Sequence, residues 1–121
     1  MRDRKAATYL FGMEAEWLAS VFLRLKGYRI LAQRFSAAGG EIDLVAVRGG
    51  TLVFVEVKAR RSLDAARTAI TPQKLTRIER AARAYLSRLD HLPQTIRLDG
   101  LYLAPGCFPR HETAIAELRL M

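Results

Sequence analysis

The strongest pattern of hydrophobic and polar positions is a pair of alternating segments on either side of Gly49-Gly50. Both segments are rich in Val, Leu and Ile, and the two glycines tolerate the positive φ angles of a tight turn. The pattern therefore predicts a β-hairpin from Gly40 to Lys58. A two-residue loop sets its register, which places Arg48 opposite Thr51, Val45 opposite Phe54, Asp43 opposite Glu56 and Glu41 opposite Lys58.

The two faces of this hairpin differ in polarity, because successive side chains of a strand alternate between its faces. One face is apolar throughout, whereas the other carries charged residues at the open end of the hairpin. The apolar runs favour burial over the alternative, a surface hairpin with Glu–Lys pairs in solvent. The predicted apolar face consists of Ile42, Leu44, Ala46, Val53, Val55 and Val57.

The predicted register brings the carboxylates of Asp43 and Glu56 together, with Cβ atoms roughly 4.5–5.5 Å apart. Two such carboxylates on inner strands are hard to ionise together unless a cation neutralises them. A divalent ion such as Mg²⁺ binds one or two carboxylates and keeps its other positions for water and phosphate oxygens. Lys58 lies one pleat from Glu56, where it can balance charge, orient a water molecule or contact a phosphate.

Helical periodicity marks two longer segments. The first helix is predicted at Thr8–Lys26, where Gly27 supplies a natural C-terminal cap. The second begins at Pro72, after the N-cap Thr71, and runs to about Leu89 with one cationic side. The apolar stripe predicted for the first helix is Leu18, Val21, Phe22 and Leu25, and the cationic side of the second is Lys74, Arg77, Arg80, Arg83 and Arg88.

The remaining segments complete an α/β order. Tyr28–Phe35 and Thr95–Ala104 are predicted as strands, and Glu112–Leu120 as a short terminal helix. Met1–Ala7 is expected to fray, and Ala59–Arg67 is expected to be a basic loop. The order α-β-β-β-α-β predicts a mixed central sheet flanked by helices.

Composition bounds the class of protein. A chain of 121 residues forms one domain, residues 1–121, and can bury a core without covalent staples. The 20 basic residues exceed the 12 acidic ones, and the net charge of +8 favours a polyanionic partner such as nucleic acid. A general basic bias of the proteome is the alternative, and charge alone does not separate the two. A single cysteine, Cys107, fits the reducing cytoplasm, and no apolar run approaches the length of a membrane helix.

Asp43, followed after twelve residues by Glu56-Val57-Lys58, resembles the D…E-x-K signature of restriction-endonuclease-like nucleases. The longer strings Gly40–Leu44 and Leu52–Arg60 resemble the YraN-like family of small, largely uncharacterised bacterial proteins. The resemblance covers nearly the whole chain. It implies a restriction-endonuclease-like core, similar to that of archaeal Holliday-junction resolvases.

The same resemblance implies roles for individual residues. Glu16, within Ala15-Glu16-Trp17-Leu18-Ala19, would be a metal ligand carried by the first helix. Glu14 is the alternative, because periodicity points it closer to the predicted apolar stripe. The catalytic residues would be Asp43, Glu56 and Lys58, and the metal ligands would be Glu16, Asp43, Glu56 and the carbonyl of Val57.

Basic residues near these positions are candidates for phosphate contacts. Arg60 and Arg61 extend the strand that bears Lys58, and Lys74 matches a Lys or Gln position of the family. The alternative for each is a solvated basic side chain without a ligand. The predicted nucleic-acid-binding residues are Arg34, Arg60, Arg61, Lys74 and Arg77.

Two functional hypotheses follow. The first is an endonuclease dependent on Mg²⁺ or Mn²⁺ that acts on DNA, with branched or junction DNA as a candidate substrate. A homodimer would suit such a substrate, and the apolar second side of the first helix would suit a dimer. The second hypothesis is a nucleic-acid-binding adaptor that keeps the fold without turnover.

Overall fold

A computed structural model describes the backbone of residues 4–118 and the side chains of residues 14–118. It is an α/β structure in which helices flank a five-stranded mixed sheet, as the sequence predicts. No helix in these residues is long and apolar enough to cross a membrane. In chain order the elements are α1 (Arg4–Leu25), β1 (Arg29–Ala37), β2 (Gly40–Arg48), β3 (Thr51–Ala59), α2 (Leu63–Thr68), α3 (Pro72–Leu86), β4 (Thr95–Leu103) and β5 (Arg110–Ala116).

The strands lie in the order β1-β2-β3-β4-β5. Neighbours are antiparallel except β3 and β4, which run parallel because α2 and α3 form the crossover between them. The hairpin prediction is confirmed through its inner part, where Arg48 pairs with Thr51 and Val45 pairs with Phe54. β3 is therefore the central strand, with partners on both sides.

Helix α1 packs on one face of the sheet through a stripe that the sequence analysis did not choose. Ala15, Ala19 and Leu23 are buried, whereas Leu18 is 38% exposed and Leu25 is 83% exposed. The predicted stripe was wrong for Leu18 and Leu25, but Phe22 does pack against this buried cluster. The small side chains of Ala15 and Ala19 allow their side of the helix to lie against the sheet. The predicted homodimer remains a prediction.

Helix α3 packs on the opposite face of the sheet, as its amphipathic pattern predicts. Ile78, Ala82 and Leu86 are buried in one cluster with Val45 and Phe54. The N-cap prediction is also confirmed, because the Thr71 hydroxyl accepts the Lys74 N–H at 3.2 Å and Pro72 opens the helix. The helix ends at Leu86 rather than at Leu89.

Three predictions about the ends and connections were wrong. The chain is helical from Arg4 onward rather than frayed to Ala7, and the expected basic loop contains α2, whose N-cap Ser62 accepts the Ala65 N–H. The terminal helix predicted at Glu112–Leu120 is instead strand β5, which pairs with β4. Parts of two of these predictions, residues 1–3 at the start and residues 119–120 at the end, lie outside the described residues. Contacts with β4 decide this segment, since weak local propensity yields to tertiary pairing.

Candidate active site

The strands of the hairpin separate at its open end. The β2–β3 pairing ends at Leu44 and Val55, although β2 extends back to Gly40 and β3 extends on to Ala59. The pairing of β2 with β3 therefore does not include the outer pairs of the predicted register, Asp43 with Glu56 and Glu41 with Lys58. Residues 40–43 of β2 and 56–59 of β3 form the two arms of what we call the fork.

Asp43 lies where the fork opens. Its Oδ2 accepts the backbone N–H of Val57 at 2.8 Å, so a side chain takes a hydrogen bond that a strand partner would ordinarily supply. The alternation of β2 also breaks here. Ile42 packs in the cluster of α3 and Leu44 in that of α1, although residues two apart share a face in a regular strand. The predicted apolar face was thus wrong for Ile42 alone, because β2 turns at Asp43.

The second carboxylate, Glu56, is buried beside Asp43 and is 7% exposed. Its Oε2 lies 3.0 Å from Nζ of Lys58, which is an ion pair between two largely buried side chains. The three residues of the D…E-x-K pattern are therefore brought together at the fork. They open into a cleft of about 210 Å³, lined by Glu41, Asp43, Glu56, Lys58, Lys74, Arg77 and Ile78.

The opposite wall of this cleft is the first part of α3, held close to the fork by Gly40. A Cβ atom at position 40 would overlap the backbone carbonyl of Arg77. Only glycine allows β2 to begin this close to α3. The absence of a side chain therefore sets the distance between Asp43 and the two basic residues of the helix, Lys74 and Arg77.

Burial and the neighbouring Glu56 carboxylate raise the pKa of Asp43 to about 7, although the Val57 N–H opposes this shift. Burial by itself would lower the pKa of Lys58, but contact with the Lys74 amine and the charge of Glu56 raise it. The same contact with Lys58, followed by burial, lowers the pKa of Lys74. Asp43, Lys58 and Lys74 therefore each have a pKa shifted by their neighbours in the cleft.

The donor set of the fork fits a hard divalent cation. Asp43 and Glu56 supply carboxylate oxygens, and Mg²⁺ typically binds one or two carboxylates while keeping several waters. The N–H of Val57 points toward Asp43 on β2. In a strand the carbonyl of a residue points to the same side as its N–H, so the Val57 carbonyl also points toward β2. Between residues 14 and 118, however, no three His, Cys, Asp or Glu residues lie close enough to hold a metal ion together.

Glu16 is the predicted ligand that this site does not include. Its Oε1 accepts a hydrogen bond from Nε of Arg34 at 2.8 Å, and it does not line the cleft. Glu14, the alternative, is exposed. The prediction for Glu14 depended on a stripe in which Leu18 and Leu25 prove to be exposed, whereas Glu16 is half-buried.

The predicted nucleic-acid-binding residues fall into three sets, of which the first is Arg34, paired with Glu16 away from the cleft lining. Lys74 and Arg77 line the cleft, as predicted from their place near the start of α3. Arg60 and Arg61 are exposed immediately after β3, and neither lines the cleft. The sequence analysis gave no role to Glu41, which lines the cleft and accepts the Ser36 hydroxyl at 3.2 Å. Its spacing of two residues from Asp43 was the available signal.

A second buried acid is Asp99 on β4. Its two oxygens accept both Nε and Nη2 of Arg97 at 2.9 Å and the Ala114 N–H at 3.0 Å. Nε2 of His111 lies 2.7 Å from the same carboxylate, and Lys26 Nζ lies 2.6 Å from Nδ1 of that ring. Because a lysine can only donate, Nδ1 accepts and Nε2 carries the proton given to Asp99.

Comparison with known proteins identifies relatives across most of the chain. The profile of the uncharacterised protein family UPF0102 matches residues 15–102. A UPF0102 protein of Methylorubrum extorquens (strain PA1) is 55% identical over 109 residues, which cover 89% of this chain and 85% of that protein. A UPF0102 protein of Methylobacterium nodulans is 52% identical over 116 residues, which cover 95% and 90% of the two chains. The matched region contains the whole fork.

Proposed function

The chain belongs to the uncharacterised protein family UPF0102, and on that premise we propose that it is a divalent-metal-dependent endonuclease that hydrolyses DNA phosphodiester bonds. Branched or junction DNA is the substrate class to test first, because the fold that the family resemblance implies is similar to that of archaeal Holliday-junction resolvases. One observation carries the proposal. At the fork, the Asp43 carboxylate is fixed by the Val57 N–H beside Glu56, and Lys58 lies within ion-pair distance of Glu56.

Each group at the fork has a task that follows from its chemistry. Asp43, Glu56 and the Val57 carbonyl would hold Mg²⁺ or Mn²⁺, which supplies charge for the phosphate and a more acidic water for attack. Lys58 presents an ammonium next to the carboxylates, where it orients the attacking water and stabilises charge that develops on the phosphate.

The basic wall of the cleft supports a nucleic-acid substrate. Lys74 is half-buried, and Arg77 is exposed and forms no ion pair with any residue that the structure describes. Both face the carboxylates across a cleft too small for a duplex but open to a single phosphodiester. Arg60 and Arg61 extend the positive surface past the end of β3, so they would contact flanking phosphates.

A second candidate function, a nucleic-acid-binding adaptor without turnover, is favoured by one observation. Three carboxylates line the cleft, those of Glu41, Asp43 and Glu56, but no three acids or histidines among the described residues lie close enough to hold a metal ion together. The two functions predict the same salt-dependent affinity for DNA. They differ in metal uptake and in cleavage.

The test is cleavage of a four-way junction and of a linear duplex of the same sequence, with Mg²⁺ or Mn²⁺ present. We expect Asp43→Asn to lower the single-turnover rate by roughly a thousandfold or more, which is about 4 kcal/mol of transition-state stabilisation. Asp64→Asn is the matched control, because Asp64 is exposed at the start of α2 and should leave the rate unchanged. DNA binding without cleavage or metal uptake in the wild-type protein would instead establish the adaptor.

A further inference from the structure

We propose that Arg34 and the divalent metal ion compete for Glu16, an inference that rests on the function proposed above. In the metal-free protein the arginine neutralises the carboxylate of α1. When a metal ion binds at the fork, Glu16 turns to the metal, and the released guanidinium becomes available to a phosphate of the substrate. Arg34 therefore controls when Glu16 is free to complete the metal site at the fork.

The contact that carries this inference is the ion pair between Arg34 and Glu16. Nε of the guanidinium lies 2.8 Å from Oε1, and the side chains are 55% and 20% exposed, respectively. An ion pair this open to water is held weakly, because solvent screens both charges. A divalent cation on one side and a phosphate on the other can therefore replace it without a large rearrangement.

The charges around Arg34 connect α1 with the fork. The hydrogen bond and charge of Glu16 raise the pKa of the Arg34 guanidinium most strongly, and the charges of Glu41 and Asp43 raise it further. The arginine thus lies in the field of three carboxylates, two of which line the cleft. A divalent cation would be attracted to the same field, which is why the two cations compete.

The backbone at Arg34 supports a positioning role. Arg34 and Asp43 lie between the same two strand pairs, Gln33 with Leu44 and Phe35 with Ile42. The φ angle of Arg34 is 51°, in the left-handed region that residues other than glycine seldom adopt inside a strand. Such conformations cost free energy and are concentrated at functional sites.

The exchange also accounts for the incomplete ligand set. Asp43 and Glu56 offer two carboxylates, and Glu16 is the predicted third ligand that the structure pairs with a cation instead. Release of the arginine would free Glu16 to join Asp43 and Glu56 as a metal ligand. It would also deliver a positive charge to the phosphate, because Arg34 is directly opposite Asp43 on the neighbouring strand.

The experiment is calorimetric titration of Mn²⁺, without DNA, into wild type, Arg34→Gln, Glu16→Gln and the double variant. We expect Arg34→Gln to tighten Mn²⁺ binding by about fivefold or more, which is the lower end of the affinity changes seen between coupled sites. We expect Glu16→Gln to weaken Mn²⁺ binding. The gain from Arg34→Gln should vanish in the Glu16→Gln background, which is the signature of coupling through that residue. Arg29→Gln, an exposed position on the same strand, removes the same charge and should change the affinity by less than about twofold.

Three results would overturn the inference. Arg34→Gln could leave Mn²⁺ binding unchanged or weaker, its gain could persist without Glu16, or Arg29→Gln could give the same gain through long-range charge. In each case, loss of Mn²⁺ uptake in Asp43→Asn would still leave the proposed function intact. No Mn²⁺ uptake by the wild-type protein would overturn both.

Discussion

Asp43 and Asp99 occupy similar positions in the sheet, but their pKa values are shifted in opposite directions. Each lies on an inner strand and accepts one backbone N–H, from Val57 and from Ala114 respectively. Hydrogen bonds from His111, Arg97 and Ala114 lower the pKa of Asp99 despite its burial. Burial and a neighbouring carboxylate raise the pKa of Asp43 to about 7.

The difference lies in what surrounds each carboxylate. Asp99 is fully buried, and its oxygens are engaged by an arginine, a histidine and a backbone amide, so no external ligand is needed. Asp43 has one amide and a like charge beside it, at the edge of an open cleft. A buried acid with its donors complete stabilises the fold, whereas one facing another acid in a cleft is a candidate for function.

The largest expected effect is the loss of stability caused by Asp99→Asn, which tests the structural role of this carboxylate. Asp99→Asn leaves Arg97 without its carboxylate and removes the acceptor of His111, so we expect the free energy of unfolding to fall by about 3 kcal/mol or more. Urea denaturation followed by circular dichroism measures this change. Asp64→Asn is again the matched control and should stay within about 0.5 kcal/mol of wild type. A loss below about 1 kcal/mol for Asp99→Asn would contradict its structural role.

A smaller effect concerns the pH dependence of stability in chelator-treated protein. The pKa of Asp43 is about 7 in the folded state and 3.8 in its reference state, so between these values the folded protein holds a proton that the unfolded chain has released. The contribution of Asp43 to the free energy of unfolding should therefore decrease as pH rises from about 4 to about 7. Asp43→Asn should lack this slope.

Asp99 should act in the opposite direction, since its pKa is lowered and its contribution is lost only as pH falls below the usual range of an aspartate. Denaturation curves for wild type and Asp43→Asn across the two ranges separate the effects. An identical slope in both proteins between pH 4 and pH 7 would show that Asp43 does not titrate as described.

Local pattern was sufficient to predict the parts of the fold that local physics controls. Alternation around Gly49-Gly50 predicted the hairpin and its inner register, and Thr71 and Pro72 predicted where α3 begins. Strand β5 could not be predicted, because His111 and Ala114 are tied to Asp99 by contacts distant in sequence. The stripe of α1 was predicted only in part, because the packing of the helix on the sheet buries Ala15, Ala19 and Leu23 and leaves Leu18 and Leu25 exposed.

At the candidate site, too, some features follow from local sequence and others depend on contacts distant in sequence. The D…E-x-K spacing predicted that Asp43, Glu56 and Lys58 would meet, and they line one cleft. Spacing could not predict that the strand pairing ends at the fork, because that depends on the Asp43 side chain accepting a backbone amide. Nor could it predict the partner of Glu16, because Arg34 reaches it only when α1 and β1 are packed together.

The most direct test of the central claim is the shift in melting temperature caused by Mn²⁺ in Asp43→Asn and in Asp99→Asn. A ligand that binds only the folded state stabilises it by about 2.7 kcal/mol at a hundred times its Kd. The account predicts that Asp99→Asn melts at a lower temperature than wild type and keeps the Mn²⁺ shift. Asp43→Asn should melt at or above the wild-type temperature and lose the shift. A full Mn²⁺ shift in Asp43→Asn would contradict the assignment of the fork as the metal site.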